Sequence, residues 1–192
     1  MHRAPLIKKL YAYTPLNRTE AIAHLKILNF VLDQPQCFER SLLTGHITAS
    51  AVVINEDKTS ILLTHHKKLN RWLQLGGHAD GENNLLNVAL REAQEESGIK
   101  KILPLSENIF DLDVHYIPRY KNEPEHFHYD IRFLFEANDQ EPLIVSHESK
   151  ALAWIPINEI SNYNQEESLL RLEYKLQNNF QPRKILANSN VM

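Results

Sequence analysis

Three glutamates, Glu92, Glu95 and Glu96, crowd together in the stretch LGGHADGENNLLNVALREAQEESGI, residues 75–99. Placed on a helix at about 100° per residue, they share one arc, with Arg91 at its edge. Leu86, Ala89, Leu90 and Ala93 take the opposite arc and can pack on a sheet. Like charges three or four residues apart cost about 0.2–0.5 kcal/mol per pair on an exposed helix. In a cleft the lower effective dielectric makes the cost larger. Two readings are open: a solvated acidic face, or a cation site. Carboxylate oxygens suit a hard ion, Mg²⁺ or Mn²⁺. The Gly76-Gly77 pair precedes this helix by one short loop. Glycine permits close backbone approach, so a carbonyl there can complete a cation shell that the helix begins.

A second group lies in HFHYDIRFLF, residues 126–135. Strand alternation puts His126, His128, Asp130 and Arg132 on one face, and Phe127, Tyr129, Ile131, Phe133 and Phe135 on the other. Asp111, Asp113 and His115 of DLDVHYIP share one face of a plausible partner strand. The polar row reads as a substrate cleft in which Arg132 and a histidine meet phosphate. It also reads as a plain solvent-facing row. A third reading is a second metal site, because an H-x-H pair can ligate Zn²⁺ with His115 as a further ligand. His78, directly after Gly77, can face the same cleft.

The elements that must hold these residues follow from periodicity. Residues 1–17 contain Pro5 and Pro15 and read as a weakly structured arm or short helix. Apolar residues from Ala21 to Leu32 recur at helical spacing, predicting a helix over 20–32 with Asn17 or Thr19 as its cap. A second short helix is expected around Phe38–Leu43. ASAVVIN and TSILLTHH read as strands joined by the turn NEDK. Asn83 or Asn84 can cap the glutamate helix, and Gly98 fits a left-handed stop. IFDLDVHYI, HFHYDIRFLFEA and KALAWIPI are strand-like, and a final helix is expected over 166–177. The last dozen residues look frayed. This order predicts a mixed α/β domain, residues 46–192, behind a helical arm, residues 1–45. The arm's apolar stripe either packs on the domain or forms a homodimer interface.

Bulk properties exclude several classes. The chain of 192 residues is 43% hydrophobic and carries a formal net charge of −3. Nucleic acid is not expected as a partner, because phosphate backbones need clustered Lys and Arg. The one cysteine, Cys37, forbids an intrachain disulfide and reads as a packing residue. The start of the sequence has no continuous apolar region typical of a secretory signal, and no apolar stretch is long enough to span a bilayer. The expectation is a cytoplasmic protein with no membrane contact.

The glutamate stretch resembles the Nudix box, the signature of the Nudix hydrolase superfamily. That pattern is glycine, five residues, glutamate, seven residues, then Arg-Glu-aliphatic-x-Glu-Glu-x-Gly-aliphatic. Gly77 takes its first position, Arg91 and Glu92 the Arg-Glu, Glu95 and Glu96 the Glu-Glu, Gly98 the last glycine and Ile99 the final aliphatic. Ala93 sits at the middle aliphatic position. Asn83 stands where the pattern has its first glutamate, with Glu82 beside it. The neighbouring strands extend the resemblance over residues 46–180.

The resemblance implies a Nudix fold, with a mixed sheet packed between helices in an α/β/α sandwich. It implies a metal-dependent hydrolase that cleaves a diphosphate linkage in a nucleoside diphosphate derivative, by attack of water on phosphorus. Glu92, Glu95 and Glu96 would hold Mg²⁺ or Mn²⁺, joined by the carbonyl of Gly76. Arg91 would pair with a box glutamate and fix its rotamer. The general base would be a box glutamate or Glu148, six residues before Trp154, which would also serve as a metal ligand. Tyr116, His78, His115, His126, His128, Asp130 and Arg132 would contact substrate. Two alternatives stay within the fold: a catalytically weak nucleotide sensor, suggested by Asn83, and an isomerase on an isoprenoid diphosphate, which would need an active-site cysteine.

Overall fold

The computed structural model describes residues 2–120 and 124–180. The expectation for the last dozen residues falls outside the described residues. Helices α1 (Ala4–Ala12) and α2 (Arg18–Asp33) come first. Asn17 caps α2 by accepting from the Glu20 N–H at 2.9 Å. The strands β1 (Gly45–Asn55), β2 (Ser60–His66), β3 (Arg71–Leu73) and β4 (Leu75–His78) precede helix α3 (Leu85–Ser97). Then follow β5 (Ile102–Pro104), β6 (Asp111–Ile117), β7 (His126–Ala137) and β8 (Ser149–Pro156). A 3₁₀ turn (Ile157–Glu159) leads to α4 (Ile160–Tyr163) and α5 (Glu167–Phe180).

All eight strands join one mixed sheet. Its centre is β1, antiparallel to β2 and β4 and parallel to β7. β7 carries β5 and β6, and β2 carries β3 and β8, all antiparallel. β1 is buried along its whole length, as a central strand covered on both faces must be. Alternate residues of β1 serve two cores. Ile47, Ala49, Ala51 and Val53 pack with α2 and α3 residues such as Ile27, Val31, Val88 and Ala93. Val52 and Ile54 pack with Ile160, Leu169, Leu172 and Leu176 of α4 and α5. This is the helix–sheet–helix layering that the resemblance to the Nudix family implies.

The first two helices belong to the same apolar core as the sheet. Leu6, Leu10, Ile27, Phe30 and Val31 are buried there, and Phe30 stacks on Tyr129 of β7 with ring centroids 3.9 Å apart. Ion pairs tie the two layers together. Fully buried Glu20 of α2 pairs with Lys175 of α5. Asp111 meets Arg171 Nε and Lys175 Nζ at 2.8 Å each.

The helix expected around Phe38–Leu43 is not formed. Residues 35–44 fold as successive turns, with Cys37 N–H donating to Gln34 and Glu39 N–H to Gln36. The carbonyls a helix would use are taken by other partners: Cys37 O accepts from Ile47 at 2.8 Å, and Phe38 O from Gly81 at 3.0 Å. Burial of Cys37 and Phe38 in the core holds the loop in this form.

Candidate functional site

Helix α3 forms where its pattern predicts. Asn84 caps it through Asn87 N–H, and Gly98 ends it in the left-handed region at φ 75°. Leu85, Val88, Ala89 and Ala93 bury its apolar side, which fixes the rotation that aims the glutamates. That side meets β1 and β4, so Glu92 and Glu96 lie against the Gly76-Gly77 strand. The Gly76 N–H donates to Glu96 Oε1 at 2.8 Å. A Cβ at position 77 would sit 2.5 Å from Glu92 Cδ. Glycine at 77 is therefore what lets the carboxylate reach the backbone. Arg91 Nη1 donates to Glu92 Oε1 at 2.8 Å and lies 3.7 Å from Glu95. It orders the first carboxylate and leans on the second.

The three acids differ in environment. Glu95 is exposed, with 62% of its side chain accessible. Glu92 is half-buried, and burial raises its pKa against the opposing pull of Arg91. Glu96 is buried, and desolvation pushes its pKa up to about 7 despite the Gly76 hydrogen bond. Glu148, on the loop before β8, adds a like charge that raises both Glu92 and Glu96. This group concentrates negative charge that Arg91 only partly offsets, and such an arrangement favours a cation. All-oxygen donors with a backbone brought close by glycine fit a hard divalent ion.

The polar row of β7 divides into two parts. Asp130 and Arg132 are buried and their groups are saturated. Asp130 accepts from Thr48 Oγ1 at 2.9 Å and Ser50 Oγ at 2.8 Å. Arg132 donates to Asp130, Asp111 and Asp113 at 2.8, 3.2 and 3.3 Å. The expectation that these two contact substrate is corrected: Arg132 is 2% exposed and its donors are committed to three carboxylates. Those anions keep its guanidinium charged, and against the opposing effect of burial the Arg132 cation in turn holds the Asp113 carboxyl well below the usual carboxylate range.

His126, His128 and His78 converge instead, with His46 of β1, which the sequence reading missed. β1 and β7 pair in parallel with His46 opposite His128. Ring centroids of His46 lie 4.9 Å from His78, 5.0 Å from His126 and 4.9 Å from His128. Burial lowers the pKa of His46 and His78 to about 4 and that of His128 to about 2. All three are neutral at pH 7. His115 sits at the margin, 5.3 Å from His128 and 3.4 Å from Asp113. Tyr116 is exposed and pairs with Phe127 on the other face of β6 and β7, so it does not join the histidines. Cys37 is fully buried, and its burial raises the thiol to about 11. It does not supply the cysteine that an isomerase would need.

A sequence model of the NUDIX domain matches residues 44–173. The chain belongs to the Nudix hydrolase superfamily. It is 35% identical over 98 residues to a probable DHNTP pyrophosphohydrolase of Lactococcus lactis. That match covers 50% of this chain and 56% of the Lactococcus protein, so the chain spans little more than half of that relative. It is 32% identical over 117 residues to the asymmetrical bis(5'-nucleosyl)-tetraphosphatase of Rattus norvegicus, covering 59% of this chain and 76% of the rat protein. The fold resembles a C. elegans Ap4A hydrolase, TM-score 0.55 at 18% identity, over 69% of this chain and 95% of that one. It also resembles the E. coli dihydroneopterin triphosphate pyrophosphohydrolase, TM-score 0.53 at 12% identity, over 69% and 92%. Among the described residues no helix is long and apolar enough to cross a membrane.

Proposed function

We propose that this Nudix protein hydrolyses a diphosphate linkage in a nucleoside diphosphate derivative, dependent on Mg²⁺ or Mn²⁺. The observation that carries this is the packing of α3 against β4. It brings Glu92 and Glu96 onto the Gly76-Gly77 backbone and leaves a surplus of negative charge. Glu92, Glu95 and Glu96 would hold the ion, with the Gly76 carbonyl beside them. A divalent ion bound there neutralises phosphate charge and makes water a better nucleophile. The chain's own contribution is orientation. Arg91 holds Glu92 in one rotamer, and the Gly76 N–H holds Glu96. Glu148, exposed on the loop before β8 and adding like charge to Glu92 and Glu96, would take the proton from attacking water.

The relatives' names support the substrate class: one is a triphosphate pyrophosphohydrolase and the other a dinucleoside tetraphosphatase. The reading is tested by supplying nucleoside triphosphates, dinucleoside polyphosphates and ADP-ribose in ¹⁸O-water with Mg²⁺. Mass spectrometry should find ¹⁸O in a phosphate-bearing product and two phosphate-bearing fragments from one substrate. Tight nucleotide binding with no cleavage of any compound would instead identify a sensor.

A further inference from the structure

We propose that His46, His78 and His128, completed by His126, form a second metal site for a borderline divalent transition ion of the Zn²⁺ class. The site is separate from the carboxylates of α3.

The four histidines come from three adjacent strands of one sheet. His46 and His128 face each other across the β1–β7 pair, and His78 enters from β4, paired to β1 on its other side. One ring nitrogen from each of His46, His78 and His128 lies within 4.8 Å of the others. Tetrahedral Zn²⁺ with Zn–N bonds of about 2.0–2.1 Å places its ligand atoms about 3.3 Å apart. His126 Nε2 and His128 Nε2 are already 3.1 Å apart. Among His46, His78 and His128 the remaining contraction is at most about 1.5 Å, within reach of small side-chain rotations.

Two features point to a ligand rather than to packing. His46 is 3% exposed, and neither of its ring nitrogens has a hydrogen-bond partner. The Leu42 carbonyl is close enough to favour its charged form, yet makes no bond of normal geometry. A buried imidazole normally finds a partner, because leaving one unmet is costly. An ion in the plane of the ring would take the lone pair of one of these nitrogens.

The second feature is the tautomer of His126. Its Nδ1 lies 2.9 Å from the Pro124 carbonyl, which can only accept, so Nδ1 carries the proton. In the neutral ring Nε2 then presents a bare lone pair toward His128. A backbone carbonyl that fixes the distal proton is the usual support of a metal-bound histidine. An all-imidazole set suits Zn²⁺, Cu²⁺ or Ni²⁺ far better than the oxygen-seeking Mg²⁺.

The two sites lie on opposite faces of β4. Leu75 packs in the core with α3, and the missing Cβ of Gly77 points at Glu92. Alternation then turns His78 to the other face, where His46 and His128 meet it.

The test uses the full chain freed of any affinity tag and stripped with a chelator. Zn²⁺ is titrated by calorimetry, and Co²⁺ is added as a visible-absorbing probe. The expected result is one Zn²⁺ per chain, a raised melting temperature, and Co²⁺ bands of a four-coordinate nitrogen site displaced by Zn²⁺. His128→Gln should weaken binding by at least about tenfold, and His126→Gln, also only partly buried, gives the same direction should His128→Gln not fold. A Glu95→Gln, Glu96→Gln double variant should keep the Zn²⁺ stoichiometry. Failure of the unaltered chain to take up Zn²⁺ or Co²⁺ stoichiometrically overturns the proposal. So does binding that the glutamate variant abolishes and the histidine variants leave intact.

Discussion

Replacing Glu96 by glutamine should stabilise the metal-free protein at neutral pH and leave it nearly unchanged at pH 4. The reason is the cost of holding a buried carboxylate without a cation. Its pKa rises from 4.5 to about 7 on folding. Between those values the folded state binds more protons than the unfolded state, so wild-type stability falls as pH rises. At 1.36 kcal/mol per unit, the full cost is about 3 kcal/mol once the pH exceeds 7. That is a large fraction of a typical domain's stability. The buried histidines act in the opposite sense. Their lowered pKa values make stability fall as pH drops below 6.5, so the wild-type profile alone mixes the two effects. The difference between Glu96→Gln and wild type isolates the glutamate. Glutamine keeps an oxygen for the Gly76 N–H, so the hydrogen bond survives the change. Urea unfolding in chelator at pH 4, 5, 6, 7 and 8 should show this difference growing by about 3 kcal/mol. Saturating Mg²⁺ should shrink it, because the ion compensates the wild-type charge. A difference independent of pH would refute the claim that Glu96 is a costly buried acid.

Three further outcomes follow from the same geometry. Gly77→Ala puts a methyl group against the Glu92 carboxylate; it should lower kcat about 100-fold with the fold retained by circular dichroism, as displacement of about 1 Å at a catalytic centre does. Arg132→Ala leaves Asp111, Asp113 and Asp130 without their shared cation; denaturant unfolding should show a loss of about 3–5 kcal/mol. Removing residues 2–33 strips Leu6, Leu10, Ile27, Phe30 and Val31 from the core; the shortened chain should be insoluble or lack a cooperative melt, whereas a soluble, cooperatively melting monomer would show that the helices are dispensable for folding.

What the sequence revealed depended on how local the signal was. Helix α3 was legible because its apolar period, Asn84 cap and Gly98 stop all lie within a short segment. The strands around NEDK were legible for the same reason. The turns at 35–44 were not, because their conformation is set by hydrogen bonds to Ile47 and Gly81 and by burial against other elements. Alternation assigned Asp130 and Arg132 to the right face of β7 but said nothing of depth. The partners that hold them there come from other elements: Thr48 and Ser50 of β1, Asp111 and Asp113 of β6, and the Ser168 carbonyl of α5. His46 escaped notice because its neighbours come from the parallel β1–β7 register, a pairing with no local signature. Glu148 is the opposite case, a distant residue marked only by its spacing from Trp154, whose like charge acts on Glu92 and Glu96.

Metal-dependent hydrolysis driven by the carboxylates of α3 is what a turnover assay decides. The most direct measurement is turnover of nucleotide diphosphate derivatives with Mg²⁺, with Mn²⁺ and with EDTA, for wild type and a Glu92→Gln, Glu95→Gln double variant. Turnover should require the metal, and the double variant should lose at least about 1,000-fold in kcat, roughly 4 kcal/mol of transition-state stabilisation. Undiminished turnover in EDTA, or by the double variant, would contradict the claim.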